Sequence, residues 1–167
     1  MHADAISNPP ATPLARAARW LVSPATTAPA ATVLIRLMAG LVFCCEGIIK
    51  FLFANQGVGR FTKLGFPMPE VTATGIAVFE IVGGLLLVVG LYTRLVALGF
   101  SIEMVVAIVT TKISVGLGSS PLGQPGSPPH SGIWAALHEG RTDWCMLVGC
   151  CFLVLVGAGA RSLDARR

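Results

Sequence analysis

Charge is what this chain lacks. Only 12% of its 167 residues are Asp, Glu, Lys or Arg, about half the share of an ordinary soluble domain. That scarcity excludes a free-standing soluble globule. The net charge of +4 does not make the chain a nucleic-acid binder. Its basic residues stand singly at the ends of apolar runs rather than on one patch, where they read as topology signals. A strong apolar core is missing from residues 1–32, which excludes a cleaved signal peptide. That stretch holds Pro9, Pro10, Pro13, Pro24 and Pro29. No Cys-x-x-Cys redox motif occurs, although there are five cysteines.

Long apolar runs take up the remainder. Hydrophobic residues make up 54% of the chain, and its mean hydropathy is +0.76. Four runs, at about 33–54, 72–92, 94–115 and 144–160, each approach the roughly 20 residues that cross a bilayer as helix. Helix is required, because lipid offers no partner to a free backbone amide. The expectation is an all-α polytopic membrane protein, a four-helix transmembrane bundle over 33–164. It is preceded by a mobile tail, whose 14–22 stretch reads either as an interfacial helix or as poorly ordered chain, and followed by a short tail at 165–167. These spans and their loops leave no room for a separate soluble catalytic domain.

Small residues punctuate the runs. Gly40 and Gly47, then Gly75, Gly83, Gly84 and Gly90, then Gly149, Gly157 and Gly159 allow close helix–helix approach, and the second span is expected to be well buried. Thr93 alone separates spans two and three, which predicts an antiparallel hairpin. The 55–71 loop has room for one short helix. Residues 116–132 read as irregular and 133–140 as a short interfacial helix carrying Trp134. With four spans both termini share a side. Arg16, Arg19, Arg36, Arg94, Arg161, Arg166 and Arg167 fall there, against Lys50, Arg60, Lys63, Lys112 and Arg141 on the other. That bias places both termini in the cytoplasm of a bacterial-type inner membrane.

Charges inside such spans mark functional sites by default. Glu46 and Lys50 share a face of span one at i, i+4. Glu80 and Glu103 lie near the middles of spans two and three. Counting from the cytoplasmic ends Arg36 and Arg94 puts Lys50 level with Glu80, and Glu46 level with Glu103. A polar cluster of Lys50, Glu46, Glu80 and Glu103 in the outer half follows, while Arg36 and Lys112 are expected to snorkel to an interface. The cluster reads either as a network that fixes helix order or as a proton path or quinone-headgroup site, and its excess of acid favours a working site.

The cysteines and histidines add less. Cys44 or Cys45 would approach Cys150 or Cys151 if spans one and four touch; otherwise they are small hydrophobes. His130 and His138, with Glu139, fall short of the three or four ligands of a metal site, so no metal is expected. His138 remains a candidate contact for a quinone headgroup or a protein partner.

The chain resembles the DoxX family of small four-helix membrane proteins from about Leu34 to Asp164. The resemblance is carried by Arg36-Leu37-x-x-Gly40 with Glu46, Gly47 and Lys50, and by the Gly65-Phe66-Pro67-x-Pro69 turn. It continues through Glu80, Gly83, Gly84 and Leu85 to Gly90, Leu91, Thr93 and Arg94. It ends at Gly157-x-Gly159-x-Arg161-Ser162-Leu163-Asp164, with Ala158 where the family usually has Pro. The family takes its name from a subunit of a membrane thiosulfate:quinone oxidoreductase. The resemblance therefore implies a membrane subunit of a redox or respiratory-type complex that binds a quinone near the Lys/Glu cluster. Arg36, Glu80 and Arg94 match recurring family positions. A noncatalytic accessory subunit packed against a larger complex is the alternative, and a small solute transporter the third reading. Lipid is the surrounding medium, with a protein partner or a homo-oligomer expected.

Overall fold

The computed structural model describes residues 12–22 and 28–167. Its helices are α1 Pro13–Val22, α2 Thr32–Leu52, α3 Val58–Lys63 and α4 Pro69–Val89. α5 is Thr93–Gly116, with a π-helical turn at Ile108–Lys112, and α6 is Gly132–Val156. A 3-10 turn, Asp164–Arg166, follows. Residues 1–11 and 23–27, where most of the expected tail falls, lie outside the described residues. Ala28 and Thr32 are buried and Thr32 already opens α2, so the folded body begins before residue 33.

α2, α4 and α5 are long and apolar enough to cross a membrane, and the chain is an all-α polytopic membrane protein. At 21 residues, α2 and α4 each reach about 30 Å, the thickness of a bilayer core. The sequence of α2 is apolar all round, but only Thr32, Arg36, Ala39, Gly40, Phe43 and Gly47 are buried. Leu34, Leu41, Ile48 and Leu52 point outward and exposed. A helix with apolar residues on both faces needs protein against one and lipid against the other.

α2 packs on α4 through its glycines. A Cβ at Gly40 would stand 2.6 Å from the Gly84 carbonyl oxygen, and one at Gly47 would stand 2.6 Å from that of Ala77. These are backbone-to-backbone contacts, the geometry small residues permit between membrane helices. Gly75, expected to do the same work, faces open space. α4 is also not the most enclosed span. Its apolar stretch is 33% buried, the same as α2, and that of α5 is 39% buried. α5 packs along α6, and the two helix pairs meet at a core that includes Phe43, Leu87, Phe100, Met146 and Leu153. The Phe43 and Phe100 rings stack there at 3.6 Å between centroids.

Two boundaries differ from expectation. Spans two and three are joined not by Thr93 but by Gly90, Leu91 and Tyr92. Gly90 takes a left-handed φ of 72° and so ends α4 as a glycine C-cap, while Thr93 is the first residue of α5. The expected interfacial helix at 133–140 and span at 144–160 are one continuous helix that stops at Val156. No proline interrupts it. Gly157, at φ 85°, breaks it before 160. Glu139, Arg141 and Asp143 lie in its first half, and α6 is not among the three helices that meet the length and hydropathy of a span.

Candidate functional site

The helices bring two groups of polar residues together, one at each end of the bundle. At the end away from the termini, Lys50 from the last turn of α2 reaches Glu80 on α4. Its Nζ lies 2.8 Å from Oε1 and 2.7 Å from Oε2, with the Glu80 side chain 3% exposed and that of Lys50 13%. Lys50 also lies 3.9 Å from Glu46, whose side chain is 55% exposed. Glu103 of α5 lines the same cavity as Glu46, Lys50 and Glu80. Glu103 Oε2 is closed off from solvent with no hydrogen-bond partner. The four residues expected to cluster do sit together. They form a graded series from exposed Glu46, through half-buried Lys50 and Glu103, to buried Glu80.

These side chains border a cavity of about 560 Å³ between the two helix pairs. Phe43, Phe61, Phe66 and Phe79 line it, along with Arg60 and Gln56 from the loop and short helix α3. On the far wall Lys112 pairs with Asp143 at 3.1 Å, so Lys112 holds α6 rather than snorkelling outward as expected. Thr110, Thr111 and Lys112 line the cavity from the π-helical turn of α5, a local widening often found at functional sites. Sequence reasoning missed this second ion pair and the aromatic wall. The signal available was the polar run Thr110-Thr111-Lys112 inside an otherwise apolar helix. His138 stays outside: its side chain is 61% exposed, 3.6 Å from Glu139 and hydrogen-bonded to Arg141.

Arg36 and Arg94 stand at the opposite end and take no part in this cluster. Arg36, expected to snorkel, is 2% exposed. Its guanidinium donates to the carbonyls of Leu87, Val88, Ala158 and Arg161 at 3.0, 2.9, 2.8 and 2.8 Å. It thereby satisfies carbonyls at the C-terminal end of α4 and ties them to the chain beyond α6. Asp164 completes this staple, accepting the Tyr92 and Thr93 amides at 2.9 and 3.0 Å at the start of α5. A Cβ on Gly90 would fall 2.6 Å from Arg36 Cζ and from Ser162 Cβ, so this turn admits only glycine. Arg94 donates to the Trp20 carbonyl at 3.5 Å and lies 4.6 Å over the Trp20 ring.

The cysteines do not pair across α2 and α6; all five are free. The Cys44 thiol donates to the Ile81 carbonyl on α4 at 3.5 Å. Cys150 is fully buried in the core, and Cys151 lies 3.8 Å from the Ser101 hydroxyl.

The DoxX family pattern matches residues 31–113, which covers the Arg36 position, the Lys50–Glu80 pair and the π-helical turn. The "Uncharacterized membrane protein Rv3486" of Mycobacterium tuberculosis is 42% identical over 139 residues, 83% of this chain and 82% of that protein. The "Putative oxidoreductase CatD" of Bacillus subtilis is 34% identical over 82 residues, 49% of this chain and 60% of that protein. No solved structure matches the chain. With a relative of that identity aligned over more than four-fifths of both chains, the protein belongs to the DoxX family.

Proposed function

We propose that this chain is a membrane subunit of a redox assembly in a bacterial cytoplasmic membrane, and that its cavity receives a quinone headgroup. One observation carries the reading: buried Glu80, with half-buried Lys50 and Glu103, lies on a phenylalanine-lined cavity of about 560 Å³. That size falls within the range of roughly 300–1,000 Å³ typical of small-molecule sites, which combine apolar walls with a few convergent polar groups. The ring of a quinone suits the Phe43, Phe61, Phe66 and Phe79 walls. Lys50 supplies the N–H donors a quinone carbonyl needs, and the carboxyls beside it are groups able to give or take a proton. A bound quinone would supply the two-electron carrier chemistry; the residues here bind it, orient it and shield it from water. The relative named as an oxidoreductase is consistent with a redox setting. In this reading α6 is a fourth span and both termini are cytoplasmic, as the arginine distribution favours, so the cavity faces the outer leaflet.

The test is a gentle detergent pull-down from native membranes, with mass spectrometry of co-purifying proteins and of extracted quinones. A stoichiometric redox partner with quinone bound supports the proposal, and loss of the quinone in Lys50→Met places it at this site. A large complex without quinone, in both wild type and variant, would replace it with a noncatalytic accessory role. A lone homo-oligomer would replace it with solute transport.

A further inference from the structure

α1 is a short helix outside the core, and the described protein leaves most of its apolar face uncovered. None of its residues is buried, and Leu14 is 83% exposed. Helical spacing puts Leu14, Ala17, Ala18 and Leu21 on one side and Arg16 and Arg19 on the other. No acid interrupts the helix. Its position is set from below. Arg94, in the first turn of membrane-length α5, holds the Trp20 ring at 4.6 Å and the Trp20 carbonyl at 3.5 Å. Trp20 follows Arg16 by one helical turn, so α1 is pinned at the level where α5 begins, the plane of the bilayer surface.

The charge of this end is one-sided. Arg161, Arg166 and Arg167 follow α6 at the end where α5 starts, the end that Arg94 shares with α1 and its Arg16 and Arg19. Asp164 is the acid there among the described residues. It is 5% exposed, accepts two backbone amides and lies 3.8 Å from Arg167. That leaves Arg161, Arg166, Arg16 and Arg19 with no acid paired to them among the described residues. An apolar face, a basic opposite face and a tether at bilayer height fit one occupant.

We infer that α1 is a surface strap that sinks Leu14, Ala17, Ala18 and Leu21 into the lipid boundary and binds anionic phospholipid headgroups through Arg16 and Arg19, with Arg94 on Trp20 fixing where it docks. The complement is an anionic lipid surface rather than a protein groove, because the helix presents two guanidinium groups with no matching acid on its own body. This strap is independent of the cavity at the other end and holds whether or not a quinone binds there.

The chain has three tryptophans. Replacing Trp134 and Trp144 with Phe leaves Trp20 as the sole reporter in the full chain. In nanodiscs, brominated acyl chains should quench its emission. Amide exchange over residues 13–22 should slow on the order of thirtyfold when phosphatidylglycerol is added to phosphatidylcholine, from two arginines near an anionic surface. Arg16→Gln with Arg19→Gln should abolish that lipid dependence. Trp20→Leu, which leaves α5 untouched, should lower the protection of α1 in both lipids. Equal exchange in the two lipids, or no quenching of Trp20, would overturn the inference. So would protection that follows protein density in the disc, the sign of a second copy.

Discussion

The two ends of the bundle handle buried charge in opposite ways. At the termini end Arg36 and Asp164 spend their hydrogen bonds on backbone, the carbonyls of Leu87, Val88, Ala158 and Arg161 and the amides of Tyr92 and Thr93. At the cavity end Lys50 pairs with Glu80 and Glu46, Glu103 lies on the same cavity wall, and one Glu103 oxygen has no hydrogen-bond partner. Charge bound to backbone is consumed by the fold. Charge bound to charge, beside a cavity, keeps groups that a ligand can take over. Residues that carry the family resemblance occur at both ends, so shared sequence alone does not say which of them work on a ligand.

The comparison predicts different failures at the two ends. Arg36→Met should produce the largest effect. It strands four carbonyls at once, and with charge-assisted bonds worth roughly 1.5–3 kcal/mol each, a loss of about 5 kcal/mol or more should prevent stable folding in detergent. Arg36→Lys should not rescue it, because an ammonium cannot span the fork that four carbonyls accept. A thermal melt of either variant near wild type would break the claim that this end is a staple.

Lys50→Met comes next. It leaves Glu80 buried beside Glu103 without its cation, at a cost of about 3–5 kcal/mol. Adding Glu80→Gln to it should return most of that stability, since no uncompensated charge remains. Neither variant should retain a bound quinone. Recovery of quinone along with stability would make the pair a structural brace like Arg36, and the two ends would no longer differ.

Asp164→Asn sharpens the other side. The amide keeps one acceptor oxygen for two backbone N–H groups, so one cap bond is lost at about 1–2 kcal/mol. Unfolding monitored in detergent should register it, and the quinone content should not.

How far these ends were legible in the sequence follows from the same physics. Length and hydropathy place α2, α4 and α5, because the bilayer leaves helix as the solution for an open span. Counting residues from Arg36 and Arg94 brings Lys50 level with Glu80, since rise per residue is constant along a helix. What counting misses is direction. Arg36 reads as a snorkelling residue near an end, yet it turns inward, because the partners that decide this are carbonyls more than 50 residues away. Lys112 is misread for the same reason: Asp143 lies beyond a long loop whose length says nothing about where α6 returns. The single helix Gly132–Val156 was divided in the sequence because its charged first half does not resemble a span. The exposure of Gly75 and the greater enclosure of α5 depend on which face meets which neighbour, and periodicity does not assign faces between apolar helices.

Glu46→Gln should have the smallest effect on stability and for that reason tests function most cleanly. The side chain is 55% exposed and 3.9 Å from Lys50. An ion pair this open contributes little, so the melt should move by no more than about 0.5 kcal/mol. Any change in affinity for a short-chain quinone then reports on the ligand site and not on folding. A several-fold loss of affinity with an unchanged melt would extend the site to the cavity mouth. Unchanged affinity would leave Glu46 a surface neighbour and confine the site to Lys50, Glu80 and Glu103, where exposure is lowest and the contrast with the Arg36 staple is sharpest.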